Sequence, residues 1–121
     1  MSWENKYKSK LTTAEKAVEL IKSGNRVVIG HACAEPSYLV DAMVANAESY
    51  HDVEIVHMVA MGKAGYAQPG MESHFRHNAL FVGGTTRKAV AEGRGDYTPC
   101  FFYRIPSLFT NGSLPVDVAL V

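Results

Sequence analysis

The segment Leu114-Pro115-Val116-Asp117-Val118-Ala119-Leu120-Val121 constrains the fold more than any other part of the sequence. It reads as a turn feeding an apolar β-strand. A strand this apolar needs neighbours along its edges and cover on its faces. A sheet must therefore be assembled from other parts of the chain, with helices to cover it. No covering element follows the strand, so the 121 residues are expected to be the front portion of a longer polypeptide.

Other segments supply the sheet. Arg26 to Gly30 encloses Val27-Val28-Ile29, and Val53 to Val59 is rich in β-branched residues; both suit buried strands. Asn78 to Val82 is expected as a third strand and Cys100 to Tyr103 as a fourth, with Phe101, Phe102 and Tyr103 in the core. Between them lie helical patterns. Thr12 with Glu15 fits a capping box, followed by Ala14, Ala17, Val18 and Ile21 at helical spacing and by Gly24 as a stop. Pro36 suits the first position of a second helix, with Leu39, Val40, Met43 and Val44 inward. Thr85 or Thr86 begins a short helix through Glu92, and Ile105 to Asn111 forms another.

The order α-β-α-β-loop-β-α-β-α-β predicts one open, mostly parallel α/β sheet flanked by helices, spanning residues 1–121. Ligands of such sheets lie beyond the carboxyl ends of the strands. This marks residues 30–36, 61–70 and 83–87 as candidate site loops.

Composition narrows the function. Twelve basic residues balance twelve acidic ones, without a basic tract, so bulk charge supports neither a nucleic-acid nor a membrane partner. No apolar run has the length of a membrane span, and the polar start Met1-Ser2-Trp3-Glu4-Asn5-Lys6 is unlike a signal peptide. Cys33 and Cys100 make no disulfide framework, which suits the cytoplasm.

Familiar motifs fail. Gly30 stands alone where a dinucleotide fingerprint needs three glycines, and Gly62-Lys63-Ala64 lacks the hydroxyl of a phosphate loop. His31-Ala32-Cys33-Ala34-Glu35 has its glutamate two positions too far for a zinc deaminase. His74 and His77 share a helical spacing without a third ligand, so surface or hydrogen-bonded histidines are the expectation and no metal site is assigned. Cys33 is open to two readings, a nucleophile with His31 or His57 as base or a small buried residue. The tract Met71 to Asn78 lines a cleft or forms a solvated connector.

Ordered motifs say more. Gly30-His31-Ala32-Cys33-Ala34-Glu35-Pro36, His74-Phe75-Arg76-His77-Asn78, Thr86-Arg87-Lys88-Ala89-Val90-Ala91-Glu92-Gly93 and the stretch from Asp96-Tyr97-Thr98-Pro99 through Ile105-Pro106-Ser107-Leu108-Phe109 to Pro115-Val116-Asp117-Val118-Ala119 resemble, in that order, the N-terminal domain of the acetyl-CoA hydrolase/transferase family. Met1-Ser2-Trp3, Ser9-Lys10-Leu11, Ile21-Lys22-Ser23-Gly24 and Ala42-Met43-Val44-Ala45-Asn46-Ala47 are similar to its 4-hydroxybutyrate CoA-transferases.

The resemblance implies transfer of coenzyme A from an acyl-CoA to a small carboxylate such as 4-hydroxybutyrate or acetate. An enzyme glutamate carries CoA as a thioester between half-reactions. In the family that glutamate lies in a C-terminal domain, so no catalytic residue is assigned here and the fragment alone is expected to be inactive. CoA serves as substrate, with no other cofactor. A homo-oligomer is expected at full length. His31 and Glu35 match one loop facing the cleft, and Met61 and Gly62 match the next; all four are expected to position substrate or support the site. Local alternatives are a turn at Gly62, a helix cap at Glu35 and a gap-filler at Met61. A non-catalytic CoA- or carboxylate-binding module is the rival reading.

Overall fold

Alternation along the strands divides the sheet into two unlike faces. Strand β1 (Arg26–Ile29) buries Val27 and Ile29 on one face, and β2 (Val53–His57) buries Val53, Ile55 and His57 beside them. The computed structural model describes residues 2–121, so the Met1 part of the N-terminal resemblance lies outside the described residues. The remaining strands are β3 (Phe75–Ala79), β4 (Gly95–Tyr97) and β5 (Val118–Leu120). The sheet order is β4-β3-β2-β1-β5, and every pairing is parallel. Val28 pairs with Val56 on one side and Ala119 on the other, so the closing apolar segment joins the sheet next to β1.

Helices α1 (Trp3–Lys10), α2 (Ala14–Val18), α3 (Ser37–Ala45), α4 (Arg87–Ala91) and α5 (Ile105–Thr110) complete the chain. The larger core joins Val18 of α2, Val40 and Met43 of α3 and Ala89 of α4 to the Val27, Ile55 and Phe75 face of the sheet. On the opposite face, Ile105, Leu108 and Phe109 pack against Val56, Leu80 and Leu114. The expected layered α/β architecture is thus present, with one face covered more fully than the other.

Several local expectations move. The third strand is Phe75–Ala79, three residues earlier than read from sequence. The tract taken as a connector or cleft lining is itself partly strand, because Phe75, His77 and Ala79 alternate inward. The fourth strand is Gly95–Tyr97, while Phe102–Arg104 forms a 3-10 turn that leaves Phe101, Phe102 and Tyr103 exposed rather than in the core. Helix α1, with Ser2 accepting from the Asn5 amide, has no buried residue and left no apolar stripe to read.

Gly24 takes the positive φ expected of it, +79°, but in a turn just before β1 rather than as the stop of α2, which ends at Val18 with Glu19 as its C-cap. The cap of α2 is Thr13 rather than Thr12; its hydroxyl accepts from the Lys16 amide at 3.3 Å. Thr13→Ala is expected to lower stability by about 1 kcal/mol, read as a small shift in urea midpoint without a change in slope. Thr12→Ala should leave the midpoint unchanged.

Candidate functional site

The order of strands reverses at β1: the chain moves outward through β2, β3 and β4, then returns to β5 on the other side. Open α/β sheets offer a crevice at such a switch point, beyond the carboxyl ends of the strands. Here the Gly30 amide donates to the Leu120 carbonyl at 2.8 Å, tying β5 to the start of the first site loop. A cavity of about 270 Å³ opens beside it, walled by Val28, Val56, Met58, Leu80 and the α5 residues Ile105 and Phe109. His31 lies on its rim, exposed, with the Phe102 ring edge-on at a centroid distance of 6.4 Å.

Glu35 lies in the same loop as His31, turned toward the loop after β2. Its side chain is only 4% exposed, and one oxygen, Oε2, accepts from the Met61 amide at 2.8 Å and the Gly62 amide at 2.9 Å. Charge-assisted bonds of this kind are the stronger class. Glu35 therefore clamps the loop after β2 to the loop after β1; it does not cap α3, whose N-cap Pro36 has no side-chain cap bond. Met61 is 67% exposed, so it fills no gap and serves the clamp through its backbone. Gly62 is required by close approach: a Cβ there would stand 2.3 Å from Glu35 Oε1. Both loops also hold an alanine at positive φ, Ala32 at 53° and Ala64 at 45°. This conformation is uncommon for residues with a Cβ and is maintained only where the surroundings enforce it.

Beneath the clamp lies a polar group that the sequence reading noted only as a possible base. His57, at the end of β2, is 1% exposed. Its Nδ1 is 2.7 Å from the Tyr66 hydroxyl, and its Nε2 is 3.8 Å from Glu35 Oε2. Burial lowers the His57 pKa, with the Glu35 charge opposing the shift. Burial raises the Tyr66 pKa, and Glu35 adds to the rise. Further along, the His77 ring lies 5.5 Å from that of Tyr66, and burial pushes its pKa down to about 4. A sequence signal existed: His57 and His77 each follow a β-branched or aromatic residue at period two, on what becomes the buried face.

Of the four candidate site residues, the structure brings Glu35, Met61 and Gly62 into direct contact. His31 stands on the cavity rim, with no hydrogen bond to them among the described residues. Cys33 is exposed on the turn Ala32–Ala34, contrary to a buried role. Among the described residues, no three His, Cys, Asp or Glu side chains come together in a group able to hold a metal ion.

A parallel sheet covered by helices on both faces, with its strand order reversing at β1, defines the class: an open α/β domain. The profile of the acetyl-CoA hydrolase/transferase N-terminal domain matches residues 1–121, and the chain belongs to that family. It is 63% identical, over all 121 residues, to a 4-hydroxybutyrate coenzyme A transferase of Clostridium kluyveri, and spans 28% of that protein's length. A solved 4-hydroxybutyrate CoA-transferase from Porphyromonas gingivalis superposes with TM-score 0.74 at 30% identity, covering 98% of this chain and 26% of that one. RipA from Yersinia pestis superposes with TM-score 0.87 at 24% identity, over 98% of this chain and 30% of its own, which shows a shared fold.

Proposed function

We propose that residues 1–121 form one wall of the active site of a CoA-transferase that moves CoA from an acyl-CoA to a small carboxylate of the 4-hydroxybutyrate or acetate type. The observation carrying this reading is identity along the whole chain to a transferase of that kind. The geometry supports it. His31 places a polar ring at the mouth of an apolar cavity, an arrangement suited to a short acyl chain ending in a carboxylate. Glu35 holds the neighbouring loop through Met61 and Gly62, leaving its own charge engaged by two amides. Its role is thus support of the site rather than attack.

The attacking glutamate belongs to polypeptide outside these residues. In the first half-reaction the donor thioester is exchanged for an enzyme glutamyl-CoA thioester, and the donor leaves as a carboxylate. In the second, the acceptor carboxylate takes the CoA and the glutamate is restored. One thioester forms for each one broken, with no change of oxidation state. CoA is substrate, and no further cofactor enters. The reading includes assembly with a C-terminal domain, a homo-oligomeric state at full length and a cytoplasmic location, the last in keeping with two free cysteines. Among the described residues no helix is long and apolar enough to cross a membrane.

The test is acyl-CoA formation from butyryl-CoA and acetate, or acetyl-CoA and 4-hydroxybutyrate, followed chromatographically. The 121-residue chain, its mass verified, should give no turnover above the blank. The same residues joined to the remaining sequence of the Clostridium kluyveri relative should restore it. Turnover by the short chain, or a folded but inert chimera, would overturn the reading.

A further inference from the structure

We propose that Tyr66 and His57 are positioning residues for the Glu35 clamp: the Tyr66 hydroxyl donates to Nδ1 of His57, fixes the imidazole in its Nε2–H form, and so places a proton on the nitrogen facing the Glu35 carboxylate. The inference concerns the chain's own architecture. It rests on the functional reading only for the consequence that substrate meets a pre-shaped loop.

The Tyr66 hydroxyl is buried, and its one side-chain hydrogen-bond partner among the described residues is His57 Nδ1, 2.7 Å away. A phenol in such a place must spend its proton on the available acceptor, because a buried donor without a partner is costly. Burial and the Glu35 charge keep that proton on the oxygen. Nδ1 is then the acceptor, and a neutral imidazole with Nδ1 bare carries its hydrogen on Nε2. Among the described residues that nitrogen has no partner within hydrogen-bond distance; it lies 3.8 Å from Glu35 Oε2, with the Gly30 backbone as the other polar group acting on the ring. Its N–H supplies the positive end of a dipole beside a carboxylate whose hydrogen bonds, among the described residues, come from the Met61 and Gly62 amides. The opposite tautomer would set a bare lone pair against the same oxygen, two acceptors facing each other in a site that excludes water. The tyrosine thus acts on the clamp through the histidine, without touching it by a hydrogen bond of its own.

The arrangement accounts for three features at once: a tyrosine inside an apolar core, a histidine ending an apolar strand, and a glutamate whose carboxylate is drawn inward rather than toward solvent. Tyr66 sits on the turn Gly65–Ala67, directly after the clamped loop, so the relay and the loop it steadies are also neighbours in sequence.

Nitrogen-15 NMR of the 121-residue chain between pH 6.5 and 8 reads the tautomer directly. His57 should show a bare Nδ1 and a protonated Nε2. Tyr66→Phe, which keeps the ring and removes the hydroxyl, should shift His57 toward the Nδ1–H form and speed hydrogen exchange at the Met61 and Gly62 amides at least tenfold, with exchange at Val28 and Val56 unchanged. His57→Gln, whose amide NH2 can take the place of Nε2–H, should preserve the slow exchange at Met61 and Gly62, whereas His57→Phe should lose it. A protonated Nδ1 in the parent chain overturns the proposal. So does a folded Tyr66→Phe chain with both the tautomer and the two amides unchanged. Should Tyr66→Phe fail to fold, the parent tautomer and the His57→Gln and His57→Phe comparison decide. These readouts involve no acyl-CoA, so they stand or fall separately from the transfer reaction.

Discussion

Gly62→Ala should destabilise the chain by about 3 kcal/mol, lowering its melting temperature by roughly 10–15 °C. The new methyl would lie 2.3 Å from Glu35 Oε1, far inside contact distance. Either the loop lifts or the carboxylate withdraws. Withdrawal forfeits two amide bonds to a charged oxygen, each worth about 1.5–3 kcal/mol, at a side chain with almost no access to water. The lower end of that range applies because the exposed loop regains some solvation at Met61.

The cause is separable from ordinary glycine effects by a double-mutant cycle. Glu35→Ala alone removes the acceptor and the obstruction together. Once it is present, Gly62→Ala should cost little more, leaving a coupling of at least about 1 kcal/mol between the two sites. Strict additivity in urea melts, or an unchanged midpoint for Gly62→Ala alone, would show that the clamp does not hold the loop.

The legible parts of this fold were those whose physics is local. Val27-Val28-Ile29 and most of Val53 to Val59 are apolar because parallel neighbours and helices surround them, so the β1 and β2 positions followed from composition alone, with Glu54 and His57 as the polar exceptions. Pro36 marks the start of α3 by backbone preference, which needs no tertiary context, whereas α2 stops at Val18, six residues before the glycine expected to end it. The misplaced strands failed for the opposite reason. Cys100-Phe101-Phe102-Tyr103 has high strand propensity, but the short β4 at Gly95–Tyr97 occupies the sheet edge beside β3, leaving the aromatics on an exposed turn. His74 to Ala79 carries too many polar residues to read as a strand. Its pairing with β2 supplies the missing stabilisation: Asn78 donates to Glu54, which also receives Arg26.

At the site, the family resemblance selected His31, Glu35, Met61 and Gly62, yet the manner of their association was not readable. Glu35 and Gly62 are 27 residues apart and meet only because β1 and β2 are adjacent. The role of Tyr66 was hidden for a similar reason. Its turn lies in a glycine-rich loop whose sequence signals irregular backbone but not the direction in which that backbone delivers a ring.

Acid should unfold this chain earlier than its carboxylates alone would, and His77 is the main source. Among the described residues, both its buried ring nitrogens are without a hydrogen-bond partner, and the ring packs 5.5 Å from that of Tyr66. Burial holds the folded pKa at about 4 against an ordinary 6.5. As pH falls from 6.5 the unfolded chain takes up the proton first, so stability declines through the interval from 6.5 to about 4 and then levels off, for a total of about 3 kcal/mol. His57 adds to the decline in the same direction, since burial lowers its pKa too. Asp96, held below the usual carboxylate range by its bond to Arg76, contributes only at lower pH, beneath its unfolded value near 3.8. The two sources are therefore separated in pH. Urea midpoints at half-unit steps from pH 7.5 to 4 should fall steeply in the parent chain and more gently in His77→Leu, which removes the titrating ring and both unpartnered nitrogens. At pH 7 the leucine variant should be at least as stable as the parent, because an apolar side chain in that position leaves no buried polar atom unsatisfied. An acid slope of the same size in His77→Leu would show that the buried imidazole is not what makes the folded state resist protonation.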